Sequence, residues 1–309
     1  TGRGVGPCYE DRAARIGVRI ADLADLPTLK VRIEKIIEDR NNYLKYVLGS
    51  SQEIGCAEIF KSLERAAELV LPFAANVSSL IYEAIKRDER VVFEGAQGTL
   101  LDTTFGTFPY VTSSSTLSGS IATGVGIGPS SIQYVLGIAK AYCTRVGEGP
   151  FPTELLDAEG DLIRQRGHEF GTVTGRPRRC GWFDAVAVRR AVQLNGVDTL
   201  ALTKLDVLSG FDKIKVCVKY TLDGQTIEDL PSRASDFSRI VPKYVELDGW
   251  QDELDGIKKL HHLPAQVKLY VSAISEMVGV PVSVLSVAPE RESTMFSSSA
   301  TYLENFLGL

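Results

Sequence analysis

Three arginines crowd into the stretch GTVTGRPRRCGW, residues 171–182, beside two threonines and several glycines. A guanidinium offers a fixed fork of donors that matches carboxylate and phosphate. Glycine lets backbone N–H groups come close to a ligand. The chemistry on offer is therefore anion binding; the bland alternative is a solvated basic loop, and the rest of the chain has to decide. A second stretch, TKLD at 203–206, sharpens the choice. Asp206 can accept from the N1–H and 2-amino group of guanine, a donor pair that adenine lacks. The stem of Lys204 can lie against a flat purine face. As a bare four-residue match to the N/T-K-x-D guanine signature this is weak, and a lysine and aspartate leaving a strand for solvent would look the same. The apolar run before it and the Ser-bearing SVAP at 286–289 make it more specific. EGAQGTLLD (94–102), with Gln97 between glycines, and VGEGPFPTE (146–154) add two more loops of the same kind. Each alone is ordinary turn chemistry; together they point to a nucleotide site.

Composition excludes several other classes. The 309 residues are 44% apolar and 24% charged, with net charge −5: an ordinary globular balance that argues against nucleic-acid binding by charge alone. Cys8, Cys56, Cys143, Cys180 and Cys217 are scattered with no C-x-x-C pair, the usage of reduced thiols rather than a disulfide framework or a zinc site. Three histidines are few for a His-built metal centre. No apolar run approaches the roughly 18 residues of a membrane span, and no signal peptide opens the chain. The expected setting is cytoplasmic, with no membrane or nucleic-acid partner. The opening TGRGVGPCYEDRAARIGVRI has no initiator Met and starts inside a glycine-rich loop, so an N-terminal portion is expected upstream of it.

These residues need a scaffold. Apolar spacing predicts helices over 27–48, 57–70 and 75–87, the last two split by Pro72. A β-branched strand is expected at 91–93, breaking at Gly95. After a Ser/Thr/Gly-rich stretch (103–128), Pro129 sets the first turn of a helix over 130–141. AYCTRVG reads as a second strand. Asp184 and Gly196 bracket a helix, and DTLALTKLD is a strand buried on both faces. Asp223-Gly224 signals a β-hairpin. A helix over 264–278 precedes a last strand at 282–285. Alternating strands and helices predict an α/β fold: a mostly parallel sheet flanked by helices, with a hairpin added. We expect one large domain, 1–309, N-terminally incomplete, with a helical insertion subdomain at 25–88. In such sheets ligands sit at the carboxyl ends of strands, where all four informative loops fall.

In combination, TGRGVGPCYEDRAARIGVR, FEGAQGTLLD, FGTFPYVTSSS, RVGEGPFPTE, GTVTGRPRRCGWFD, LTKLDVL and SVAPER resemble the adenylosuccinate synthetase family across essentially the whole chain. The resemblance implies a sheet related to P-loop NTPases and a homodimeric, GTP-dependent ligase of purine biosynthesis. Its small-molecule substrates are inosine monophosphate (IMP), L-aspartate and GTP, with Mg²⁺ as cofactor, and its products are adenylosuccinate, GDP and phosphate. Carried over residue by residue, Thr1 and Thr112 match IMP-phosphate and ribose-side contacts, and Gln97 the amide that reads hypoxanthine. Arg15 matches an arginine that reaches across the dimer to the neighbour's IMP phosphate, Val146 the ribose neighbour, and Arg176 a further IMP contact. Thr172, Val173, Thr174, Gly175, Arg176 and Arg178 match the aspartate loop, with Arg178 also near the GTP phosphates. Lys204, Leu205, Asp206, Ser286, Val287 and Ala288 match the guanine loops.

Three positions depart from the family pattern: Val173 removes a hydroxyl, Pro177 interrupts a run of arginines and should stiffen the loop, and Ala288 replaces a glycine. The family's glycine-rich phosphate loop, general-base aspartate, general-acid histidine and metal contacts find no counterpart here. No G-x-x-x-x-G-K-[ST] occurs, and His168, His261 and His262 lie in no family motif. Catalytic and metal-binding residues are therefore expected upstream of Thr1. The rival reading from another class is a catalytically silent GTP-binding or assembly module. A nicotinamide dehydrogenase using GVGIG (124–128) is disfavoured, because neither a firm strand before it nor an acidic ribose reader after it is present.

Overall fold

The computed structural model describes residues 2–171 and 175–308. The backbone divides into two compact units, residues 1–89 and 90–309.

The first unit is helical. Helix α1 (Val5–Ala14) ends at Arg15, which takes the left-handed conformation at φ 63°. Asp25 caps α2 (Leu26–Asn42) by accepting from Thr28 N at 3.2 Å, with Pro27 in the first turn. Helix α3 (Cys56–Val70) and α4 (Val77–Lys86) follow. Leu29, Ile33 and Ile37 of α2 stack one turn apart and bury against Ala67 of α3 and Leu23, the stripe that helical spacing demands. By length and composition alone, Cys56–Lys86 is long and apolar enough to cross a membrane, contrary to the expectation that no run approaches that length. Pro72 divides it: a short 3-10 turn over Leu71–Phe73 leads into extended Ala74, and Asn76 caps a fresh helix by accepting from Ser79 N.

The second unit holds the sheets. Strands are β1 (Leu136–Lys140), β2 (Cys143–Arg145), β3 (Arg179–Gly181), β4 (Phe183–Asp184), β5 (Thr199–Thr203), β6 (Lys213–Leu222), β7 (Gln225–Ile227), β8 (Val241–Asp248), β9 (Val282–Ser286) and β10 (Thr294–Phe296). Its helices are α5 (Gly119–Val125), α6 (Ala158–Arg166), α7 (Ala185–Asn195), α8 (Ala265–Val278) and α9 (Thr301–Leu307). The central sheet runs β1-β5-β9-β10, with β1, β5 and β9 parallel and β10 antiparallel. All but the last residues of β5 and β9 are buried, as a sheet covered on both faces requires. Asp184 caps α7 by accepting from Val186 N and Ala187 N, and Gly196 closes it at φ 58°. Arg189 of α7 donates to Met277 O of α8 at 3.0 Å and to Val218 O of β6 at 2.8 Å, fixing helix to sheet. At the hairpin, Asp223 and Gly224 both take positive φ, 50° and 83°, the conformation of a type I′ turn.

Some expectations fail, each for a tertiary reason. Residues 91–93 form no strand, because a strand exists only with a ladder partner and the described residues give them none. The helix expected over 130–141 is a single turn at Pro129–Ser131 followed by β1. Pairing of Leu136–Lys140 with Thr199–Thr203 overrides the local helical pattern. Residues 282–285 do not close the chain's strands: β10 folds back on β9, and α9 follows. The second strand expected around 143–145 forms, but pairs with β3 outside the central sheet. Strand β8 and helix α5 were not anticipated.

Candidate functional site

Parallel pairing in register sets the carboxyl ends of β1, β5 and β9 side by side. Lys140 faces Thr203, Leu202 faces Leu285, and Ala141 N donates to Thr203 O at 2.8 Å. Beyond β5 the chain turns sharply, with Lys204 in the left-handed conformation at φ 64°. Leu205, Val207 and Leu208 then plunge into the core, leaving Asp206 half-buried at the rim. Beyond β9, Val287 is buried while Ser286 Oγ donates to Ala288 O at 2.9 Å, closing a tight loop. Burial pushes the Asp206 carboxyl up. Its own backbone N–H and the Lys204 charge oppose that push, and Asp255 and Glu290 reinforce it, for a net rise.

The arginine stretch leans on the neighbouring segment. Arg178 N donates to Glu169 O and Gly171 N to Arg176 O, each at 2.8 Å, bracketing the pair Phe170–Pro177. Pro177 thus sits where the short ladder uses no N–H from it, so the missing donor costs nothing. Gly175 takes φ 62° and donates to Gly171 O. Alternation sends neighbouring side chains to opposite faces. Arg178 meets Glu169, NH1 to Oε2 at 2.8 Å. Arg179 makes a two-point pair with Glu154 (Nε to Oε1, 2.7 Å; the second link from NH2 to Oε2) and donates to Gly149 O at 2.8 Å. Arg179 is thus spent on the protein's own acceptors.

Glu169 is only 1% exposed. Lys140 Nζ and Tyr142 Oη both reach its Oε1 at 2.6 Å, and Lys204 Nζ donates to Gly167 O, two residues away, at 3.0 Å. Burial would push the Glu169 carboxyl up, but the bonds from Lys140, Tyr142 and Arg178, with the Lys140 charge, outweigh it and hold it below the usual range. Burial pushes Lys140 down; Glu169 pulls it back, the Arg178 and Lys204 charges add to the fall, and the net is a lowering. Two cations, Lys140 and Arg178, share the Glu169 carboxylate, and Lys204 is held on the same segment.

A third group of residues collects around Asp102. This buried carboxylate accepts from Thr104 N and Phe105 N on one oxygen, and from Ser115 Oγ and Thr116 N on the other. It thereby shapes the loop that carries Gln97 (φ 62°) and Thr112, whose N donates to Leu101 O. Arg145 ties this loop to the next by donating to Tyr110 O at 3.0 Å and to Glu148 O at 2.9 Å, beside exposed Val146.

Of the residues expected at the site, Arg178 and Lys204 converge on the segment 167–169, and Asp206, Ser286, Val287 and Ala288 share the adjacent strand ends. Gln97, Thr112 and Val146 lie on loops joined through Asp102 and Arg145. Arg15 belongs to the helical unit. Thr1, Thr172, Val173 and Thr174 lie outside the described residues. Sequence reasoning missed Lys140, Tyr142 and Glu169. Lys140 was hidden by the helix expected over 130–141; an acidic residue directly before an arginine loop was the signal available for Glu169.

Among the described residues no group of three or more His, Cys, Asp or Glu could hold a metal ion. The buried carboxylate nearest the cations is already saturated by them. The described residues therefore do not fit a divalent cation, and no chemical step is derived through one.

Parallel strands that end in a Lys-x-Asp loop beside Lys140 and Arg178, which share one carboxylate, are the architecture of an α/β nucleotide-binding fold. A family model for adenylosuccinate synthetase matches residues 1–295. The chain is 46% identical to the adenylosuccinate synthetase of Geobacter metallireducens over 295 residues, covering 96% of this chain and 68% of that protein. It is 47% identical to that of Pelobacter propionicus over 297 residues, with the same coverage. Its fold is similar to a fully ligated adenylosuccinate synthetase from Plasmodium falciparum, with TM-score 0.90 and 33% identity, covering 96% of this chain and 70% of that one. The chain belongs to the adenylosuccinate synthetase family. The function is that of a ligase: GTP-dependent joining of IMP and L-aspartate into adenylosuccinate, with GDP and phosphate released and Mg²⁺ as cofactor.

Proposed function

We propose that the cation cluster at the carboxyl ends of β1 and β5 receives the anionic parts of the substrates, with the loops on either side reading their bases. The observation that carries this is the excess of Lys140, Arg178 and Lys204 over Glu169, beside an Asp206 carboxyl whose burial calls for donors. In this reading Asp206 takes the N1–H and 2-amino group of guanine, Lys204 and Leu205 flank the base, and the loop Ser286, Val287 and Ala288 closes over it. The loop from Thr172 through Val173, Thr174 and Gly175 to Arg176 and Arg178 takes the aspartate carboxylates, with Arg178 also facing the GTP phosphates. Gln97 reads hypoxanthine, while Thr1, Thr112, Val146 and Arg176 surround the IMP ribose and phosphate. Adenylosuccinate formation assayed with IMP, aspartate and GTP varied one at a time tests the scheme. Loss of the GTP requirement, or full replacement by ATP, would remove the guanine assignment.

We further place the enzyme in the cytoplasm as a homodimer, with 25–88 as a helical insertion in one large domain. The free thiols at Cys8, Cys56, Cys143, Cys180 and Cys217 suit a reducing compartment. Arg15 then serves the partner's IMP phosphate. Mixing Arg15→Leu subunits with Gln97→Ala subunits should restore part of the activity, since one site of the heterodimer keeps both residues. Confirmed heterodimers without recovery would dismiss the trans role.

A further inference from the structure

Arg178 and Arg179 are adjacent, yet their carboxylates hold them differently. Glu154 grips Arg179 at two points, so each fork oxygen is spent and the charge is cancelled locally. Glu169 grips Arg178 at one side-chain point, NH1 to Oε2 at 2.8 Å, and again through the backbone, Arg178 N to Glu169 O at 2.8 Å. The second oxygen of Glu169 cannot swing across to complete a fork, because Lys140 Nζ and Tyr142 Oη occupy it at 2.6 Å each. The Arg178 Nε is buried with no hydrogen-bond partner among the described residues, a donor that ordinarily finds an acceptor. Arg178 is thus fixed in direction while part of its donor set stays uncommitted.

We infer that Glu169 is a positioning residue for the arginine loop: it aims the Arg178 guanidinium at the incoming aspartate and GTP without neutralising it. The inference rests on the assignment of Arg178 to those substrates. The same segment carries the Gly167 carbonyl held by Lys204, so the guanine loop and the arginine loop are braced against one short stretch. Glu169 acts through Arg178 and not by touching substrate. A one-point brace suits a residue that must exchange partners, since only one side-chain bond to Glu169 has to yield when a ligand takes the guanidinium.

The test is a double-mutant cycle in the full chain, read by steady-state kinetics. Glu169→Gln should raise the KM for aspartate about ten-fold, the loss of one charge-assisted hydrogen bond's worth of aim, while the KM for IMP stays within about two-fold. In an Arg178→Leu background the same change should add less than about two-fold, because nothing remains to be aimed. A destabilised control comes from Tyr220→Phe, which removes a buried bond to Asp184 made at 2.6 Å. It should lower the melting temperature with the aspartate KM unmoved. Should Glu169→Gln leave the aspartate KM alone while Arg178→Leu raises it, the positioning role falls and the assignment of Arg178 stands. Additive effects in the cycle, or an equal KM shift from Tyr220→Phe, would likewise overturn the positioning role. If Arg178→Leu itself leaves the aspartate and GTP constants unchanged, the assignment and the inference fall together. Where Glu169→Gln does not fold, Glu169→Asp keeps the charge on a shorter arm and is carried through the same cycle, with the same outcomes deciding.

Discussion

Two carboxylates stand beside the ends of the central strands, and the protein treats them in opposite ways. Glu169 is buried and supplied with donors from Lys140, Tyr142 and Arg178, which bring its pKa below the usual range. Asp206 is half-buried, and burial wins: its pKa is raised. A carboxylate that the fold satisfies from its own side chains is part of the frame. One that is desolvated beyond what its neighbours repay is waiting for donors from outside, and guanine carries two on one edge. The contrast separates a carboxylate supplied by the fold from one left short of donors, which is what the proposed guanine reader requires, although both are single acids near a lysine in sequence or space.

The strongest way to break this contrast is Asp206→Asn. The amide can donate to a 2-oxo group where the carboxylate cannot, so GTP should weaken by about 2–4 kcal/mol, with improved tolerance of xanthosine triphosphate. Competition kinetics with the two triphosphates reads the change directly. A mutant that retains the original guanine preference would show that Asp206 is not the base reader.

Next in size are the arginines that Glu169 and its segment brace. Arg176→Leu or Arg178→Leu should raise the aspartate KM by roughly ten- to several-hundred-fold, the 1.5–3 kcal/mol of a charged hydrogen bond. The IMP KM should move little at Arg178 and somewhat more at Arg176. Initial-rate measurements with aspartate and IMP varied separately distinguish the two.

The two acids should also pull the pH dependence of stability in opposite directions. Glu169 has a lowered folded pKa, so its contribution is present above the unfolded carboxyl value of about 4.3 and is lost as pH falls through the lower folded value. Asp206 has a raised folded pKa, so its contribution is present below the unfolded value of about 3.9 and is lost as pH rises through the folded one. At neutral pH Glu169→Gln should therefore lower the ligand-free melting temperature, by about 2–4 kcal/mol of stability, since it strands partly buried cations. Asp206→Asn should raise the melting temperature modestly. Both differences should shrink in acid. Melts recorded from pH 7 down to about pH 3, below the unfolded carboxyl values, check the signs, and matching signs for the two mutants would erase the contrast.

How much of this was legible in the sequence follows the range of the forces involved. The buried run of β5, the caps at Asp184 and Gly196 and the turn at Asp223-Gly224 are local, and they read correctly. The loops proposed to read guanine were legible as strand-end turns because a strand end and four residues contain the whole local device. The brace under the arginine loop was not. It depends on Lys140 emerging from a strand, and that stretch becomes a strand only by pairing with Thr199–Thr203, some sixty residues on. Nothing within 130–141 announces that partner, so local spacing favoured a helix. Residues 91–93 fail in the reverse sense: their β-branched character is genuine, but a strand needs a neighbour, and composition cannot supply one.

The smallest expected effect sharpens the comparison between neighbouring arginines. Arg179 lies with its guanidinium 5.5 Å from the centre of the Phe151 ring, paired at two points with Glu154, and it donates to the carbonyls of Gly147 and Gly149. These bonds tie down the loop that follows Val146 and point away from the arginine loop's other face. Arg179→Leu should therefore change the aspartate KM by less than about three-fold, under 0.7 kcal/mol. Its larger consequence should fall on IMP, through a loosened Val146 loop, and on a small loss of melting temperature from an unpaired Glu154. Side-by-side KM values for aspartate and IMP in this single mutant settle the point. An aspartate defect larger than that of Arg178→Leu would mean that the alternation along 176–179 places the substrate on the other face, and the roles of Arg178 and Arg179 would have to be exchanged.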